Sequence, residues 1–208
     1  MSLKDIVGQD RAIRLLRSMI EKDEIDGSYL FFGPMGVGKR TLSIEFAKAI
    51  NCEKKGLDAC EECISCGKIK SLNHPDLFII QKEKESSFIK IDRIRDIIYQ
   101  ASLKPYEARK KIFIITEAED MNEESQNALL KILEEPRENQ VFILATSAVS
   151  GILPTVVSRC KAVKFNLLSQ SQIQELLIKR HGFNEGEAVL FSHMALGSHG
   201  RAAAFKDK

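Results

Sequence analysis

The stretch YLFFGPMGVGKRT, from Tyr29 to Thr41, decides the fold. An apolar run leads into a loop that satisfies the pattern G-x-x-x-x-G-K, and a helix-period stretch follows the loop. The glycines of such a loop let the backbone N–H groups surround a phosphate, and its lysine reaches the β and γ phosphates. The sequence therefore predicts a strand, a nucleotide-binding loop and a helix; the alternative is a glycine-rich turn with an exposed lysine. The candidate nucleotide-binding residues of the loop are Gly33, Pro34, Gly36, Val37, Gly38, Lys39, Arg40 and Thr41.

Two departures from the usual pattern concern magnesium. The residue after Lys39 is Arg40, where a Ser or Thr hydroxyl would hold Mg²⁺, and Thr41 points about 100° further round the helix. The third predicted strand ends in Thr116-Glu117, where a fully active ATPase would carry an Asp followed by a Glu. We therefore expect bound ATP or ADP, doubtful Mg²⁺ binding and weak or absent hydrolysis. Glu117 stays a candidate catalytic carboxylate, unless it only belongs to an acidic start of the next helix.

Short apolar runs alternate with helix-period stretches along most of the chain. The predicted strands cover residues 29–32, 77–80, 112–115, 141–144 and 162–165. The predicted helices between them cover residues 12–20, 42–50, 91–101 and 128–133, and a further helix precedes the last strand. This alternation is typical of an α/β fold in which helices cover both faces of a parallel sheet.

The pattern changes after about residue 166. Helix-period stretches over residues 169–180, 185–195 and 198–205 follow, separated by Gly182 and Gly197. The sequence predicts a nucleotide-binding domain of residues 1–166 and a small helical lid domain of residues 167–208. A segment of about 40 residues is too small for a core of its own, so we expect the lid to pack on the first domain or on a neighbour.

Four of the five cysteines lie close together in a segment of residues 51–68, which we call the cysteine clip. The candidate metal ligands are Cys52, Cys60, Cys63 and Cys66. Four thiolates can surround a tetrahedral Zn²⁺, and a site closed by four protein ligands is structural rather than catalytic. Zinc is the favoured metal, iron remains open, and unliganded surface thiols are the alternative. We expect the nearby His74 to be a loop residue satisfied by hydrogen bonds.

Composition excludes several classes of protein. The chain has 208 residues with 31 Lys and Arg against 29 Asp and Glu, and a net charge of +2 marks no dedicated nucleic-acid binder. DNA contacts would have to be local or shared with partners. No apolar run approaches the roughly 18 residues of a membrane span, and the start has no signal core. We expect a cytoplasmic protein with no membrane partner.

Further motifs carry a resemblance to a known family. They are Val7-Gly8-Gln9, the loop from Gly33 to Lys39, the four cysteines, His74-Pro75-Asp76, the run NALLKILEEP over residues 127–136, Leu144-Ala145-Thr146 and Ser158-Arg159-Cys160. On these residues the chain resembles the bacterial DNA polymerase III clamp-loader subunits of the AAA+ class, most closely those of delta-prime type. The resemblance spans residue 3 to about residue 205.

The resemblance implies roles for individual residues. It places the adenine pocket at Val7, Gly8 and Gln9. Thr146 matches a polar sensor near the γ-phosphate, and Arg201 resembles the second sensor. Arg159 matches the arginine finger, which enters the ATP site of a neighbouring subunit. Without the resemblance, Arg159 would be interpreted as a cation at a helix end that faces solvent.

The resemblance also implies partners and favours one subunit type. Gamma/tau motors keep the magnesium residues that Arg40 and Thr116 replace, so the delta-prime type is favoured. Such a subunit is a stator in DNA replication, part of the DNA-directed DNA polymerase holoenzyme. Its partners are the gamma/tau and delta subunits and, through the complex, the sliding clamp and primed DNA. The alternatives are a gamma/tau-type motor ATPase and a non-hydrolysing, zinc-containing interaction module, against which the retained Lys39 argues.

The family's chains continue into a third helical domain that forms a collar. The present sequence stops at Lys208, before such a domain could begin. We therefore expect either a fragment or a shortened member of the family.

Overall fold

A five-stranded parallel sheet forms the centre of the molecule in the computed structural model, which describes residues 1–83 and 86–207. The strands are β1 (Gly27–Phe32), β2 (Leu77–Ile80), β3 (Lys111–Ile115), β4 (Gln140–Thr146) and β5 (Lys161–Lys164). Their order is β2-β3-β4-β1-β5, and every neighbouring pair is parallel. Phe32, at the end of β1, lies opposite Thr146 of β4 and Lys164 of β5. The strands predicted from the apolar runs are confirmed.

The described residues form nine α-helices. They are α1 (Asp10–Glu21), α2 (Lys39–Ile50), α3 (Ile64–Lys70), α4 (Ile91–Ser102), α5 (Glu123–Glu134), α6 (Pro154–Val157), α7 (Gln170–His181), α8 (Glu185–Met194) and α9 (His199–Ala203). Short 3₁₀ turns cover Leu3–Asp5, Ala118–Asp120, Val149–Gly151 and Ala204–Asp207. The predicted helices are present. Helix α3, which begins within the cysteine clip and continues to Lys70, was not predicted.

Helix ends follow from local hydrogen bonds. The side chain of Asn122 caps α5 by accepting a bond from the Ser125 N–H at 2.9 Å. Ser169 caps α7 in a reciprocal capping box with Gln172, and α7 ends at Gly182, whose φ is +67°. These caps fix where the segments before and after the sheet turn back onto it.

Apolar side chains from both faces of the sheet are buried, as expected for strands that lie between two helical layers. One cluster joins β1, β3 and β4 to α1 and α2, and includes Phe31, Phe46 and Ile114. The other cluster joins the opposite sheet face to α4 and α5, and includes Phe113 and Leu129. The predicted α/β architecture is therefore confirmed.

The C-terminal helices α7 to α9 pack on the same cluster as the sheet. Ile173, Leu177 and Ala202 are buried together with Phe165, the residue after β5. The segment therefore shares the hydrophobic core of the sheet, as its short length predicted. The division into two domains stays a prediction, and Lys208, the last residue of the predicted lid, lies outside the described residues. None of the described helices is long and apolar enough to span a membrane.

Candidate nucleotide and metal sites

The glycine-rich loop connects β1 to α2 at the carboxyl end of the sheet. Gly33 has a φ of +149°, and a Cβ on it would lie 2.4 Å from the carbonyl oxygen of Phe165. Its N–H donates to the carbonyl of Thr146 at 3.3 Å. Gly38, at φ +100°, precedes the first residue of α2. The backbone of the loop is therefore held against β4 and the end of β5, in a conformation that favours glycine.

We expect Gly33→Ala to lower the free energy of unfolding by about 2–4 kcal/mol, because the methyl group meets backbone and not a movable side chain. Urea denaturation followed by circular dichroism measures the change. Gly186→Ala is the matched control: Gly186 lies inside α8, where a Cβ meets nothing closer than 3.5 Å, and alanine should stabilise that helix by up to about 1 kcal/mol. Equal effects at the two positions would contradict the close contact at Gly33.

The side chain of Lys39 folds back over the loop. Its Nζ donates to the carbonyl of Gly33 at 2.6 Å and to that of Pro34 at 2.7 Å. Burial lowers the pKa of Lys39, and the nearby charge of Glu119 partly opposes that effect. A bound phosphate would offer this ammonium group a charged acceptor in place of two neutral carbonyls.

A cleft of about 520 Å³ opens beside the loop, at the carboxyl ends of the parallel strands, where open α/β sheets bind their ligands. Of the sequence-predicted residues, it brings together Gly36, Gly38, Lys39, Arg40, Thr41, Thr116 and Glu117. Val37 is buried instead and packs into the core. Ala145 and Ser147, on either side of Thr146, complete the wall that β4 provides.

The two residues that follow β3, Thr116 and Glu117, differ in their surroundings. Thr116 is buried, and its hydroxyl donates to the carbonyl of Ile80 at 3.2 Å. Glu117 is exposed and has a φ of +53°. It directly precedes the 3₁₀ turn Ala118–Asp120, whose residues Glu119 and Asp120 are also acidic, and α5 begins only at Glu123. Its catalytic role therefore stays a prediction beside the alternative of an acidic helix start.

Glu119 is a cleft carboxylate that the sequence did not single out. Its Oε1 accepts bonds from the Ser147 N–H at 2.9 Å and from the Ser147 hydroxyl at 2.5 Å. Burial alone would raise the pKa of Glu119, but hydrogen bonds from Ser147 and Thr146 outweigh it and lower the pKa. Glu119 is therefore an anion in the cleft at neutral pH. Thr146, the predicted sensor, is fully buried beside it, and its Oγ1 also accepts from the Ala148 N–H at 3.1 Å.

The start of α9 lies directly on the glycine-rich loop. The N–H of Gly200 donates to the carbonyl of Gly36 at 2.9 Å, and His199 and Gly200 line the cleft. Arg201 is exposed and is not among the lining residues, so its role as second sensor stays a prediction. Nε2 of His199 also lies 3.0 Å from Nε2 of His181, near the end of α7.

Gln9 ties the N-terminal segment to the loop. Its Nε2 donates to the carbonyls of Val37 at 3.3 Å and Asn166 at 2.9 Å, and its Oε1 accepts from the Asn166 N–H at 3.0 Å. Gly8 and Gln9 line a separate cavity of about 230 Å³, and Val7 packs against the core. The structure thus does not bring these three residues into the larger cleft, and their adenine contacts stay a prediction.

Arg159 follows α6 and is held by two contacts. Its Nη2 lies 3.1 Å from Oε2 of Glu134 at the end of α5, and its Nη1 donates to the carbonyl of Thr155 at 2.9 Å. The side chain is 29% exposed, so it is not the fully solvated cation that the residue pattern alone suggested. Arg159 does not line the cleft of its own chain.

The four cysteines of the clip converge. The sulfur atoms of Cys52, Cys60, Cys63 and Cys66 all lie within 4.8 Å of one another. A tetrahedral ZnS₄ unit with bonds of about 2.3 Å places its sulfurs about 3.8 Å apart, so the cluster fits such an ion. Backbone N–H groups donate to three of the sulfurs at 3.4 Å, as expected around thiolates. The group is all sulfur, which suits Zn²⁺ among the common protein metals.

Hydrogen bonds and burial act differently on these thiols. Backbone N–H groups lower the pKa of Cys60 to about 6, whereas burial raises the pKa of Cys52 and of Cys66. A bound cation would offset the cost of ionising the buried pair. His74 stays outside the cluster and is buried, with its Nδ1 accepting from the Asp76 N–H at 3.1 Å, as predicted.

Most of the chain matches known proteins. Residues 8–169 match the family model described as DNA polymerase III, delta subunit. The chain belongs to this family. It is 37% identical over 172 residues to DNA polymerase III subunit delta' of Bacillus subtilis. The alignment covers 83% of this chain and 52% of the relative. Subunit tau of the same organism is 35% identical over 171 residues, covering 82% of this chain and 30% of the relative.

Structural similarity agrees at the level of the fold. The Thermotoga maritima RuvB Holliday junction branch migration motor superposes with a TM-score of 0.66 at 14% identity, over 98% of this chain and 62% of that chain, so the two share a fold. The family model and the two relatives confirm the resemblance to the DNA polymerase III subunits. The chain spans about half the length of the delta' relative and less than a third of the tau relative.

Several residues of the site could not be predicted from the sequence. Glu119, Ser147 and His199 reach the cleft from distant segments, and Glu134 reaches Arg159 from another helix. Only the acidic run around Glu119 gave a local signal.

Proposed function

We propose that the chain is a delta-prime-type clamp-loader subunit: a stator that takes part in loading the sliding clamp onto primed DNA without turning over ATP efficiently. One observation carries this proposal. The cleft keeps the phosphate loop with Lys39, yet both side chains expected to hold Mg²⁺ are replaced, by Arg40 and by a Thr116 whose hydroxyl is bonded to backbone. Binding groups are thus retained where the hydrolytic groups are missing.

Arg159 is the residue through which such a stator would act on a neighbour. A guanidinium offers a planar fork of donors that matches a phosphoryl group, which lysine does not. Glu134 and Thr155 hold the fork at the protein surface, away from the cleft of this chain. Its position supports action in trans, on the transferring phosphoryl group of an adjacent subunit.

The cleft itself would bind ATP or ADP. Lys39 would contact the phosphates, with Glu117, Thr146 and Arg201 in the roles that the resemblance implies and Val7 to Gln9 near the base. The contact between Gly200 and Gly36 supports a lid role for residues 167–208, because nucleotide in the loop would be sensed directly by α9. The cysteine clip would hold a structural zinc ion.

Lys39→Ala should weaken nucleotide binding more than Arg40→Ala, by about 100-fold against about tenfold, because Lys39 lies within the loop and Arg40 beside it. Isothermal titration calorimetry with ADP ranks the two. Arg109→Ala, at the opposite end of β3, is the control and should bind as the parent does. If neither cleft substitution changes the affinity, the loop is not a nucleotide site.

The proposed partners are the gamma/tau and delta subunits, with the clamp and primed DNA reached through the assembly. Native mass spectrometry of this chain mixed with those two subunits tests the proposal, with the C-terminal remainder of a delta-prime relative fused to it where assembly requires the collar. We expect one copy of the chain in a mixed assembly. A chain that stays alone under conditions in which the relative assembles would contradict it.

A gamma/tau-type motor is the second candidate, favoured by the similarity to subunit tau and by the retained carboxylates Glu117 and Glu119. Efficient turnover of ATP by the isolated chain would decide for it. A zinc-containing interaction module without nucleotide is a third, and the intact loop around Lys39 argues against it.

A further inference from the structure

Two positions of the cleft at which phosphate loops hold Mg²⁺ carry residues that cannot bind this ion. A phosphate loop of this type holds the ion with a hydroxyl after its lysine and with a carboxylate at the end of the neighbouring strand. Arg40 occupies the first position and offers donors only. Thr116 occupies the second, buried, uncharged and bonded to the carbonyl of Ile80.

The carboxylates that line the cleft are largely engaged elsewhere. Asp120 is paired with Lys82, whose Nζ lies 2.7 Å from its Oδ2. Glu119 accepts two bonds from Ser147 on one oxygen and faces the charge of Lys39. Glu117 is exposed. The described lining of the cleft thus balances three carboxylates with three cationic side chains, and neither the hydroxyl nor the strand-end carboxylate that would hold Mg²⁺ stands at its usual position.

Among the described residues that line the cleft, Arg40 is the cation whose side chain has no recorded ionic or hydrogen-bond partner. It lies in the first turn of α2, next to Lys39, and its side chain is exposed. Within residues 1–83 and 86–207 its guanidinium forms no ion pair. The helix N-terminus adds a partial positive charge at the same place.

We propose that the guanidinium of Arg40 takes the place of Mg²⁺, so that the cleft binds the phosphates of ATP or ADP without a divalent cation. The inference rests on the proposed nucleotide site and names its cation. A guanidinium provides a fixed positive charge and forked donors to phosphate oxygens without needing protein ligands of its own. Mg²⁺ brought in with a nucleotide would be placed close to Arg40 and repelled by it. Free nucleotide therefore binds at least as tightly as its magnesium complex.

Calorimetric titration of the purified chain with ADP and with ATP, in EDTA and in Mg²⁺, tests this. We expect the dissociation constant in EDTA to be equal to or lower than that in Mg²⁺. Arg40→Ser, which restores a hydroxyl, should bind about tenfold more weakly in EDTA and should gain affinity when Mg²⁺ is added. Arg40→Gln, which has no charge and no ligand hydroxyl, should lose the same affinity and gain nothing from Mg²⁺. Arg109→Ser removes the same charge from the other end of β3 and should change neither value.

The outcomes separate the two proposals. If the parent chain binds nucleotide only when Mg²⁺ is present, or if Arg40→Gln binds as tightly as the parent in EDTA, the role of Arg40 is overturned and the nucleotide site stands. If the parent binds neither nucleotide in either buffer, the site itself is refuted and the inference with it. Far-ultraviolet circular dichroism of each variant establishes that a loss of binding is not a loss of fold.

Discussion

Replacing Arg159 by Ala should lower ATP turnover at the site of the adjacent motor subunit by roughly 10³- to 10⁵-fold, the effect of an arginine finger in well-studied phosphoryl transfer. Because a ring of subunits has several sites, the total rate should fall by less. Nucleotide binding by this chain should not change, since Arg159 does not line its own cleft. The measurement is the DNA-stimulated ATPase rate of a mixed assembly that contains the gamma/tau subunit, the delta subunit and either form of this chain.

The fold of the variant should survive. The ion pair of Arg159 with Glu134 is partly exposed on one side and more than half exposed on the other, and such pairs contribute about 0–1 kcal/mol. Arg159→Lys keeps the charge without the fork and should recover only a small part of the rate. Arg109→Ala removes another surface arginine that pairs with a carboxylate, Asp23, and should leave the rate unchanged. Normal assembly with undiminished turnover at every site would show that Arg159 is not a finger.

Cys63→Ser should lower the affinity of the clip for zinc by roughly 10²- to 10³-fold. In free energy this is about a quarter of the roughly 10–16 kcal/mol with which four ligands bind structural zinc. The sulfur of Cys63 also caps α3 by accepting from the Cys66 N–H. A serine hydroxyl can take over that cap, so the loss reports the metal and not the helix end. Zinc per chain is counted by elemental analysis, and affinity by competition with a chromophoric chelator.

Hydrogen exchange should show that Cys63→Ser reduces the protection of backbone amides only in the cysteine clip. Residues 51–68 should exchange faster in the variant while the sheet keeps its protection, since the clip contributes few residues to the two core clusters. Cys160→Ser is the control, because Cys160 lies outside the cluster and packs beside the second core. A parent chain purified under reducing conditions without any metal on its four cysteines would contradict the zinc site.

The strands were predictable because both faces of a parallel sheet are buried, which leaves continuous apolar runs such as residues 112–115. The loop was predictable because its glycines and Lys39 form a local pattern. Helix α3 was missed because its seven residues sit among cysteines, where their spacing suggested ligands and not a helix. Local patterns thus carried most of the fold.

The rest of the site depends on contacts between distant segments. Glu119 meets Ser147 across 28 residues, and His181 meets His199 from another helix. Neither pair has a sequence spacing that would reveal it. Arg201 shows a different limit of sequence reasoning. A motif match selected this residue, but it does not determine where the side chain lies, and Arg201 does not line the cleft.

The most direct test of the proposed stator function compares ATP turnover in two settings. The first is the isolated chain with Mg²⁺, and the second is a mixture of gamma/tau and delta subunits on primed DNA, with and without this chain. We expect the isolated chain to turn over no more ATP than its Lys39→Ala variant, and its addition to raise DNA-dependent turnover by the gamma/tau subunit. Mg²⁺-dependent turnover by the isolated chain that Lys39→Ala abolishes, together with no stimulation of the motor, would contradict the stator and identify a motor instead.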